Sequence, residues 1–441
     1  MKAGDYARDS FKNEESINYY IKLLKYSNSN MEKIKILNNT AMIYELTGQW
    51  DKAEEIYSIS AKLAKRFGYK KKLISIKGNL CKILINKGQY RKAIRILNNS
   101  LKICKDLNDL KGEGNTKSRI SSLYYRKGQY KKALFSAKES LLIAKKLDDK
   151  YLLSSSLGNL GLAYWICEKS DKGLEYFKEG LKIDKELGKD RDVGITLGNI
   201  GIFYLEEGKY KKSVKYFEKS LVIAKKLGDL RGICESSGNM GEANSSLGKF
   251  DNALWNFKKE LSIAKELGDI FMVGYAYSDL ARLYLLLKNY RKAEYYYKKS
   301  IKIFRKMSHN YYLCENLYDL SYVYYNLNMI NRTKYINKQA IISAKKADRL
   351  DIIALSKLMN VRIVGLSDMK KAEKQILKLL KEYKGLDFIA EIYYFLYKTT
   401  QSERDRRKAV TFYKKLYRKK PNFKYKEILE EIEKKGKRLK S

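Results

Sequence analysis

The sequence predicts an all-α solenoid, because it combines a fixed 40-residue period with helical spacing of its apolar residues and a single proline, Pro421. A repeat of this length is typical of chains in which each unit packs only against its neighbours. The period is marked by a glycine, then Gln or Lys, then an aromatic residue, at Gly48, Gly88, Gly128, Gly208 and Gly248. The same phase continues without the glycine through Glu168, Lys288 and Asn328.

Each repeat reads as a helix–turn–helix pair, as residues 154–187 illustrate. The first helix is indicated by apolar or small residues at i, i+3, i+4 and i+7, namely Leu157, Leu160, Gly161 and Tyr164. A polar turn at 168–171 precedes a second amphipathic helix that starts near Gly173, and a loop at 188–192 leads into the next repeat. No segment shows the alternation typical of strands.

Two positions of the repeat hold small side chains, which allow the two helices to approach closely. In the first helix they are Ala41, Cys81, Ser121, Gly161, Gly201, Gly241, Ala281 and Ser321. At the start of the second helix they are Ala53, Ala93, Ala133, Gly173, Ser213, Ala253, Ala293 and Thr333.

This pattern resembles the tetratricopeptide repeat, in a 40-residue variety of the usual 34-residue unit. The Leu-Gly-Asn strings at 157–159 and 197–199 are similar to those of Leu-Gly-Asn repeat proteins, which scaffold G-protein signalling. Similar long repeats occur in kinesin light chains and in the arms of bacterial signalling ATPases. The resemblance implies a right-handed α-α superhelical solenoid with a binding function.

The period divides the chain into three parts. Eight 40-residue repeats are expected over 27–347. Residues 1–26 are expected to form a truncated or frayed repeat, because Gly4 and Ser16 fit its small positions. Residues 348–441 are expected to form divergent helical repeats, indicated by Ala372 and Ala409, and a polar capping helix near the C-terminus.

The composition argues against an enzyme. The chain has one histidine, His309, and five cysteines without C-x-x-C spacing, at Cys81, Cys104, Cys167, Cys234 and Cys314. We therefore expect no catalytic site, no metal site and no cofactor. Unpaired cysteines favour a cytoplasmic location. The absence of an apolar run of about 18 residues predicts no membrane span and no signal peptide.

The net charge of +42 has two interpretations. It could attract nucleic acid or an anionic surface. Alternatively, it reflects a solvated, lysine-rich outer face, which the dispersal of lysines with the repeat favours, as at 131–132, 211–212 and 298–299. Nucleic-acid or anionic-surface binding is therefore the alternative rather than the preferred function.

One polar position of the first helix recurs without belonging to the packed face. It holds Asn39, Asn79, Arg119, Asn159, Asn199, Asn239, Asp279 and Asp319. At about 100° per residue it points roughly 150° away from the packed face. Asparagine offers a donor and an acceptor, which match one peptide unit. The resemblance implies that the five asparagines face a concave groove and grip the main chain of a peptide, with Asp279 and Asp319 weaker members. Arg119 departs from the pattern and could instead meet an acidic side chain of the ligand.

The neighbours of this polar column bear on selectivity and access. Glycine precedes it at Gly78, Gly158, Gly198 and Gly238, which leaves room for a ligand backbone. Three residues after it come Met42, Lys82, Ser122, Leu162, Ile202, Glu242, Arg282 and Tyr322. The middle repeats are thus apolar there and the outer ones charged. The open alternative is that the asparagines bond to neighbouring helices and have no ligand.

The sequence therefore predicts a non-catalytic scaffold or sensor arm that binds a partner peptide or helix in its groove. Two alternatives remain, namely binding of nucleic acid or an anionic surface, and a role as the C-terminal regulatory part of a larger signalling ATPase or kinase.

Overall fold

The structure, a computed structural model, describes residues 13–47, 49–168 and 171–438, and these residues form 22 helices and no strand. The helices up to the fourth repeat are α1 (Asn13–Tyr26), α2 (Asn30–Leu46), α3 (Trp50–Arg66), α4 (Lys70–Asn86), α5 (Tyr90–Asp106), α6 (Leu110–Arg126), α7 (Tyr130–Lys146), α8 (Lys150–Glu168) and α9 (Lys172–Glu186). Repeats five to eight contain α10 (Asp190–Glu206), α11 (Tyr210–Leu227), α12 (Leu230–Ser246), α13 (Phe250–Glu266), α14 (Ile270–Leu286), α15 (Tyr290–Lys306), α16 (Asn310–Asn326) and α17 (Ile330–Lys346). The remaining helices are α18 (Leu350–Gly365), α19 (Met369–Glu382), α20 (Leu386–Thr400), α21 (Glu403–Lys419) and α22 (Phe423–Arg438). The all-α class predicted from the sequence is confirmed.

The periodic glycine ends the first helix of each pair. Gly88 has a φ of +73°, in the left-handed region that favours glycine. Its N–H donates to the carbonyl of Ile85, and the N–H of Gln89 donates to the carbonyl of Leu84. These two bonds form a Schellman motif, which satisfies carbonyls left open at the helix end. Gly48 lies outside the described residues.

The connection between one repeat and the next uses the same conformation at the end of the second helix. Gly68, Gly188, Gly228 and Gly268 all have positive φ, which confirms their predicted place at helix C-termini. Where glycine is absent from these connections, the same conformation is adopted by Asn108, Asp148, Ser308 and Asp348. Lys288 and Asn328 adopt it at the end of a first helix. Among the described residues, a left-handed residue therefore ends the second helix of all eight repeats and the first helix of six, and helices of nearly constant length alternate with short connections.

The small position of the first helix receives an aromatic ring from the second. A Cβ placed at Gly201 would lie 2.5 Å from the ring of Phe217, whose side chain is fully buried. The same relation holds between Gly241 and Phe257. The close approach predicted for the helix pair is therefore present.

The chain divides into two compact units. Unit 1 comprises Met1–Phe203, Ser213–Asn239 and Lys259–Val273, and unit 2 comprises Tyr204–Lys212, Met240–Lys258 and Gly274–Ser441. At the start of unit 1, Ser16 and Tyr20 of α1 are buried, and α1 packs on α2. This placement fits the second helix of an earlier repeat. Gly4, the other basis for that expectation, lies outside the described residues.

Within unit 1, first helices that are distant in sequence face one another. The guanidinium of Arg191 in α10 lies 3.7 Å from the Glu45 carboxylate in α2. Arg126 in α6 lies 3.5 Å from the carboxylate of Asp269 and 4.4 Å from the ring centroid of Phe271. The first helices therefore line the inside of this unit, as expected for a solenoid.

Within unit 2, the C-terminal helix contacts the turns of earlier repeats. The ring of Phe423 meets that of Phe250 edge-on, with centroids 4.8 Å apart. The Lys288 ammonium lies 2.7 Å from the Glu427 carboxylate. The helix α22 also packs against α20 and α21. The predicted capping segment thus contacts turns of repeats six and seven in addition to its neighbours in sequence.

Two expected absences concern the described residues only. No helix there is long and apolar enough to cross a membrane. No group of three or more His, Cys, Asp or Glu side chains in these ranges is arranged to hold a metal ion. The single histidine, His309, precedes α16 in a connection, as predicted, and is buried.

Two glycines of α10 provide a matched test of the helix-pair packing. We expect Gly201→Ala to lower the free energy of unfolding by about 1–3 kcal/mol, because the added methyl group displaces the buried Phe217 ring. At Gly198 a Cβ would meet only the Ser220 hydroxyl, at an ordinary 3.5 Å. Gly198→Ala should therefore raise the free energy of unfolding by about 0.5–1 kcal/mol, through higher helix propensity. Urea denaturation followed by circular dichroism measures both, and equal effects would contradict this account.

Candidate functional site

The polar column predicted from the sequence is divided between the two units. Its asparagines and Arg119 lie in unit 1, whereas Asp279 and Asp319 lie in unit 2. The position is not uniformly accessible, since Asn39 and Asp279 are buried and the others are half-buried. The exposure of the column therefore varies from one repeat to the next.

At the start of the column, the side chains bond to neighbouring helices. Asn39 donates from Nδ2 to the hydroxyl of Tyr20, at 3.3 Å. Asn79 donates to Oδ1 of Asn38 in the preceding repeat, at 3.3 Å, and its own Oδ1 accepts from Arg119 at 3.1 Å. Each of the first three members thus bonds to a preceding helix pair, which is the alternative that the sequence left open.

Asn159 is also bonded to the preceding repeat. Its Nδ2 donates to the backbone carbonyl of Ser118 at 3.1 Å and contacts the Ser118 hydroxyl at 2.9 Å. Its Oδ1 accepts from the Ser122 hydroxyl at 3.1 Å. Both the donor and the acceptor of this amide are therefore hydrogen-bonded within the protein.

Asn199 and Asn239 differ from these, because neither has a hydrogen-bond partner among the described residues. Both line a cavity of about 40 Å³ between α10, α11 and α12, inside unit 1. Arg191 lines the same cavity and donates to the Asp229 carboxylate at 2.9 Å. Ile202, one helical turn from Asn199, adds an apolar wall. The later part of the column therefore presents free amides beside an ion pair.

The sequence predicts space for a ligand backbone at the glycines that precede the column. The structure leaves that space open at only some of them. The side chain of Arg119 fills the space at Gly78, where a Cβ would lie 2.5 Å from its Nε. The carboxylate of Glu260 fills the equivalent space at Gly238, also at 2.5 Å. A Cβ at Gly158 would meet nothing within 4 Å, so the first helix of repeat four, like that of repeat five, remains open.

Unit 2 contains a larger cavity of about 820 Å³, here called the chamber, which is lined by parts of α12–α16, α18, α20 and α22. Several oppositely charged pairs line it. Arg362 lies 2.8 Å from the Glu391 carboxylate, and Lys398 lies 2.6 Å from that of Glu431. These two pairs join C-terminal helices to one another, whereas the pair between Lys288 and Glu427 joins α22 to repeat seven.

Three carboxylates of the chamber are less well neutralised. Asp279 accepts a hydrogen bond from Arg282, and Asp319 accepts one from the Tyr297 hydroxyl at 3.0 Å. Glu242 has no hydrogen-bond partner among the described residues. Burial raises the pKa of Glu242, Arg282 lowers it and Asp279 raises it, which together give a pKa of about 7. Burial, reinforced by Glu315, likewise raises the pKa of Asp279 and Asp319 to about 6.

The sequence identified part of this chamber. Asp279 and Asp319 belong to the predicted column, and Glu242 and Arg282 to the position three residues after it. The sequence did not identify Arg362, Glu391 and the residues of α22, because they lie beyond the repeat register. No local motif marks them, and only the packing of the C-terminal helices brings them to the repeats.

Comparison with known proteins assigns part of this fold to a repeat family. The tetratricopeptide repeat profile matches three overlapping stretches, 152–226, 192–266 and 232–306. These matches show tetratricopeptide repeats over 152–306, and helical pairs continue before and after that stretch. No protein with a curated description matches it by sequence.

Several solved structures have a similar fold. One is a Rap protein complexed with competence and sporulation factor, with a TM-score of 0.56 and 15% identity, covering 83% of this chain and 98% of that chain. NprR in complex with its cognate peptide NprX gives 0.54 and 16%, covering 79% and 98%. The apo form of RapI gives 0.52 and 15%, covering 83% and 99%. At these identities the similarity concerns the fold alone.

The raised pKa of Glu242 predicts the direction in which the free energy of unfolding changes with pH. Because this pKa exceeds its ordinary value of 4.5, the folded chain binds the proton more tightly, and stability is lost as pH rises towards 7. Glu242→Gln removes this loss. We expect its gain in free energy of unfolding to be larger at about pH 8 than at about pH 5, by on the order of 1–3 kcal/mol.

A suitable control for this measurement is Glu403→Gln. Hydrogen bonds from Arg406 and Arg407 lower the pKa of Glu403, so its charge does not change over this pH range. Its effect on urea denaturation should therefore be the same at both pH values. A gain from Glu242→Gln that does not depend on pH would contradict the assignment.

Proposed function

We propose that the chain is a non-catalytic interaction scaffold whose unit 1 binds an extended peptide segment of a partner protein along its first helices. The most direct support for this proposal comes from the side-chain amides of Asn199 and Asn239. They occupy equivalent positions in adjacent repeats, line one cavity and have no hydrogen-bond partner among the described residues. At Asn159, the equivalent position in the preceding repeat, both functions of the amide are already used.

The spacing of the two amides suits an extended chain. Packed helices lie roughly 8–10 Å apart, and an extended peptide advances about 3.3 Å per residue. Asn199 and Asn239 would therefore engage peptide units about three residues apart. Each amide can donate to a carbonyl and accept from an N–H, so the contact needs no particular ligand side chain.

Selectivity would then come from the walls of the cavity. Ile202 offers an apolar surface, and Glu235 and Arg191 offer charges of both signs. Two proteins of similar fold were solved with a peptide or a factor bound. This similarity supports a peptide ligand without identifying one.

Peptide binding is tested with a random heptapeptide library displayed on phage and selected on the purified chain. We expect enriched peptides to bind with a dissociation constant that rises roughly 5- to 100-fold in the double variant Asn199→Ala, Asn239→Ala, since each lost hydrogen bond contributes about 0.5–1.5 kcal/mol. Fluorescence anisotropy with labelled peptides measures the change.

Asn159→Ala is the matched control. It should lower the free energy of unfolding, because it removes bonds between α6 and α8, while leaving peptide affinity nearly unchanged. The proposal is wrong if no peptide is enriched on the folded chain, or if the double variant binds the enriched peptides as tightly as the wild type.

The net charge of +42 makes nucleic-acid binding the second candidate. If the lysines act only as a dispersed basic surface, affinity for random duplex DNA and RNA should be lost as salt rises from about 50 to about 300 mM, through counterion competition. Electrophoretic mobility shifts across this range measure the loss. Tight binding that persists at the higher salt would favour a dedicated nucleic-acid site over the peptide groove.

A further inference from the structure

We propose that the chamber of unit 2 binds a guanidinium or primary ammonium group, held by the carboxylates of Glu242, Asp279 and Asp319. This site is separate from the peptide groove proposed for unit 1, since all the residues that line the chamber belong to unit 2. The proposal gives Asp279 and Asp319 a role in holding a cation, which differs from the contact with a peptide main chain that the sequence predicts for their position.

The first argument is the distribution of charge. The cations Lys288, Arg362 and Lys398, which line the chamber, each have an acidic partner, as does Lys424 on α22, which lies 3.4 Å from the Glu391 carboxylate. Arg282 is the remaining cation of the lining. It contacts Asp279 and lies 3.6 Å from Glu315, and it also interacts with Glu242 and Asp319. Arg282 therefore faces three carboxylates of the lining, and the lining as a whole holds six carboxylates against five cations.

The second argument is a buried oxygen that lacks a partner. Asp279 is only 2% exposed, yet it lines the chamber. Its Oδ1 accepts from Arg282, whereas its Oδ2 has no hydrogen-bond partner among the described residues. A buried carboxylate oxygen without a donor is costly. A ligand that donates N–H groups would satisfy it.

The third argument is the aromatic lining. Tyr318, Tyr322 and Tyr325 border the same space. The guanidinium of Arg362 lies 5.7 Å from the ring centroid of Tyr322, so one ring of this chamber already accommodates a guanidinium. Aromatic faces attract such cations, most strongly where water is excluded. Carboxylates combined with tyrosine rings are therefore suited to an organic cation.

The size of the chamber restricts the ligand further. Its volume of about 820 Å³ falls within the range of small-molecule sites, about 300–1,000 Å³, and exceeds that of one side chain. The ligand is therefore either a free amine or guanidine of amino-acid size, or a basic residue within a longer peptide. Both carry the same recognised group, and the experiment distinguishes them.

Proton release is a second signature of this site. In the chamber Glu242 faces Arg282, Asp279, Glu206 and Glu315, and its pKa of about 7 means that about half of the molecules carry a proton on Glu242 at pH 7. A bound cation favours the ionised carboxylate and should expel that proton. Binding should therefore strengthen as the pH rises from about 6 to about 8.

The test uses isothermal titration calorimetry on the full chain with two probes, agmatine and the pentapeptide acetyl-Gly-Gly-Arg-Gly-Gly-amide. We expect saturable binding of at least one probe at about pH 7, with a heat that differs between phosphate and Tris buffers because protons are released. Glu242→Gln and Asp279→Asn should each weaken binding about ten- to a hundred-fold, as expected for loss of a charge-assisted hydrogen bond.

The controls separate this site from the peptide groove and from general charge effects. Glu403→Gln removes the same charge from α21, outside the lining, and should leave affinity unchanged. The double variant Asn199→Ala, Asn239→Ala should also bind the probe normally, so that failure of one proposal does not entail failure of the other. Circular dichroism and thermal melting confirm that each variant is folded, and Glu242→Gln, in a half-buried position, provides a second variant if Asp279→Asn fails to fold.

Binding of agmatine would support a free amine or guanidine as the ligand, and binding of the pentapeptide alone would support a basic residue of a peptide. Absence of saturable binding of both probes by the folded wild type would overturn the proposal. Unchanged affinity in both Glu242→Gln and Asp279→Asn would do the same.

Discussion

The structure depends on a left-handed residue that ends the helices of its repeats. At this residue the chain turns sharply, and two backbone hydrogen bonds, like those at Gly88 and Gln89, satisfy the carbonyls that the helix leaves open. Because the conformation recurs at the end of both helices of the repeat, it fixes helix length and the position at which the next helix begins. Lys288 and Asn328 adopt it despite their side chains, which shows that the repeat geometry outweighs the local preference for glycine.

This regularity places the same positions of each first helix on the inner surface, but it does not determine what they do there. The asparagine column shows the difference. At Asn79 and Asn159 the neighbouring repeat supplies polar partners, so the amide stabilises the stack. At Asn199 and Asn239 the described neighbours supply none, so the same residue in the same position is available to a ligand. A repeat consensus therefore indicates where a site can form, and its neighbours decide whether it does.

Charge is also distributed in a way that composition conceals. The chain carries a large net positive charge, yet the chamber of unit 2 is lined by six carboxylates and five cations, and three of these carboxylates interact with Arg282. Burial raises the pKa values of three of them, since water is not available to stabilise their ionised forms. The net charge of the chain therefore describes neither its basic surface nor the lining of the chamber.

The sequence by itself determined the all-α class, the helix pairs, the small packing positions and the column, because each is written into local spacing that recurs from one repeat to the next. Only the tertiary structure decided which amides are free, which glycines leave room and how α22 closes the chamber. These depend on which side chain a repeat carries at a shared position, as with Arg119 beside Gly78, and on contacts outside the period, as between Phe423 and Phe250. Periodicity specifies a surface, and the non-repeating contacts made on it specify the sites.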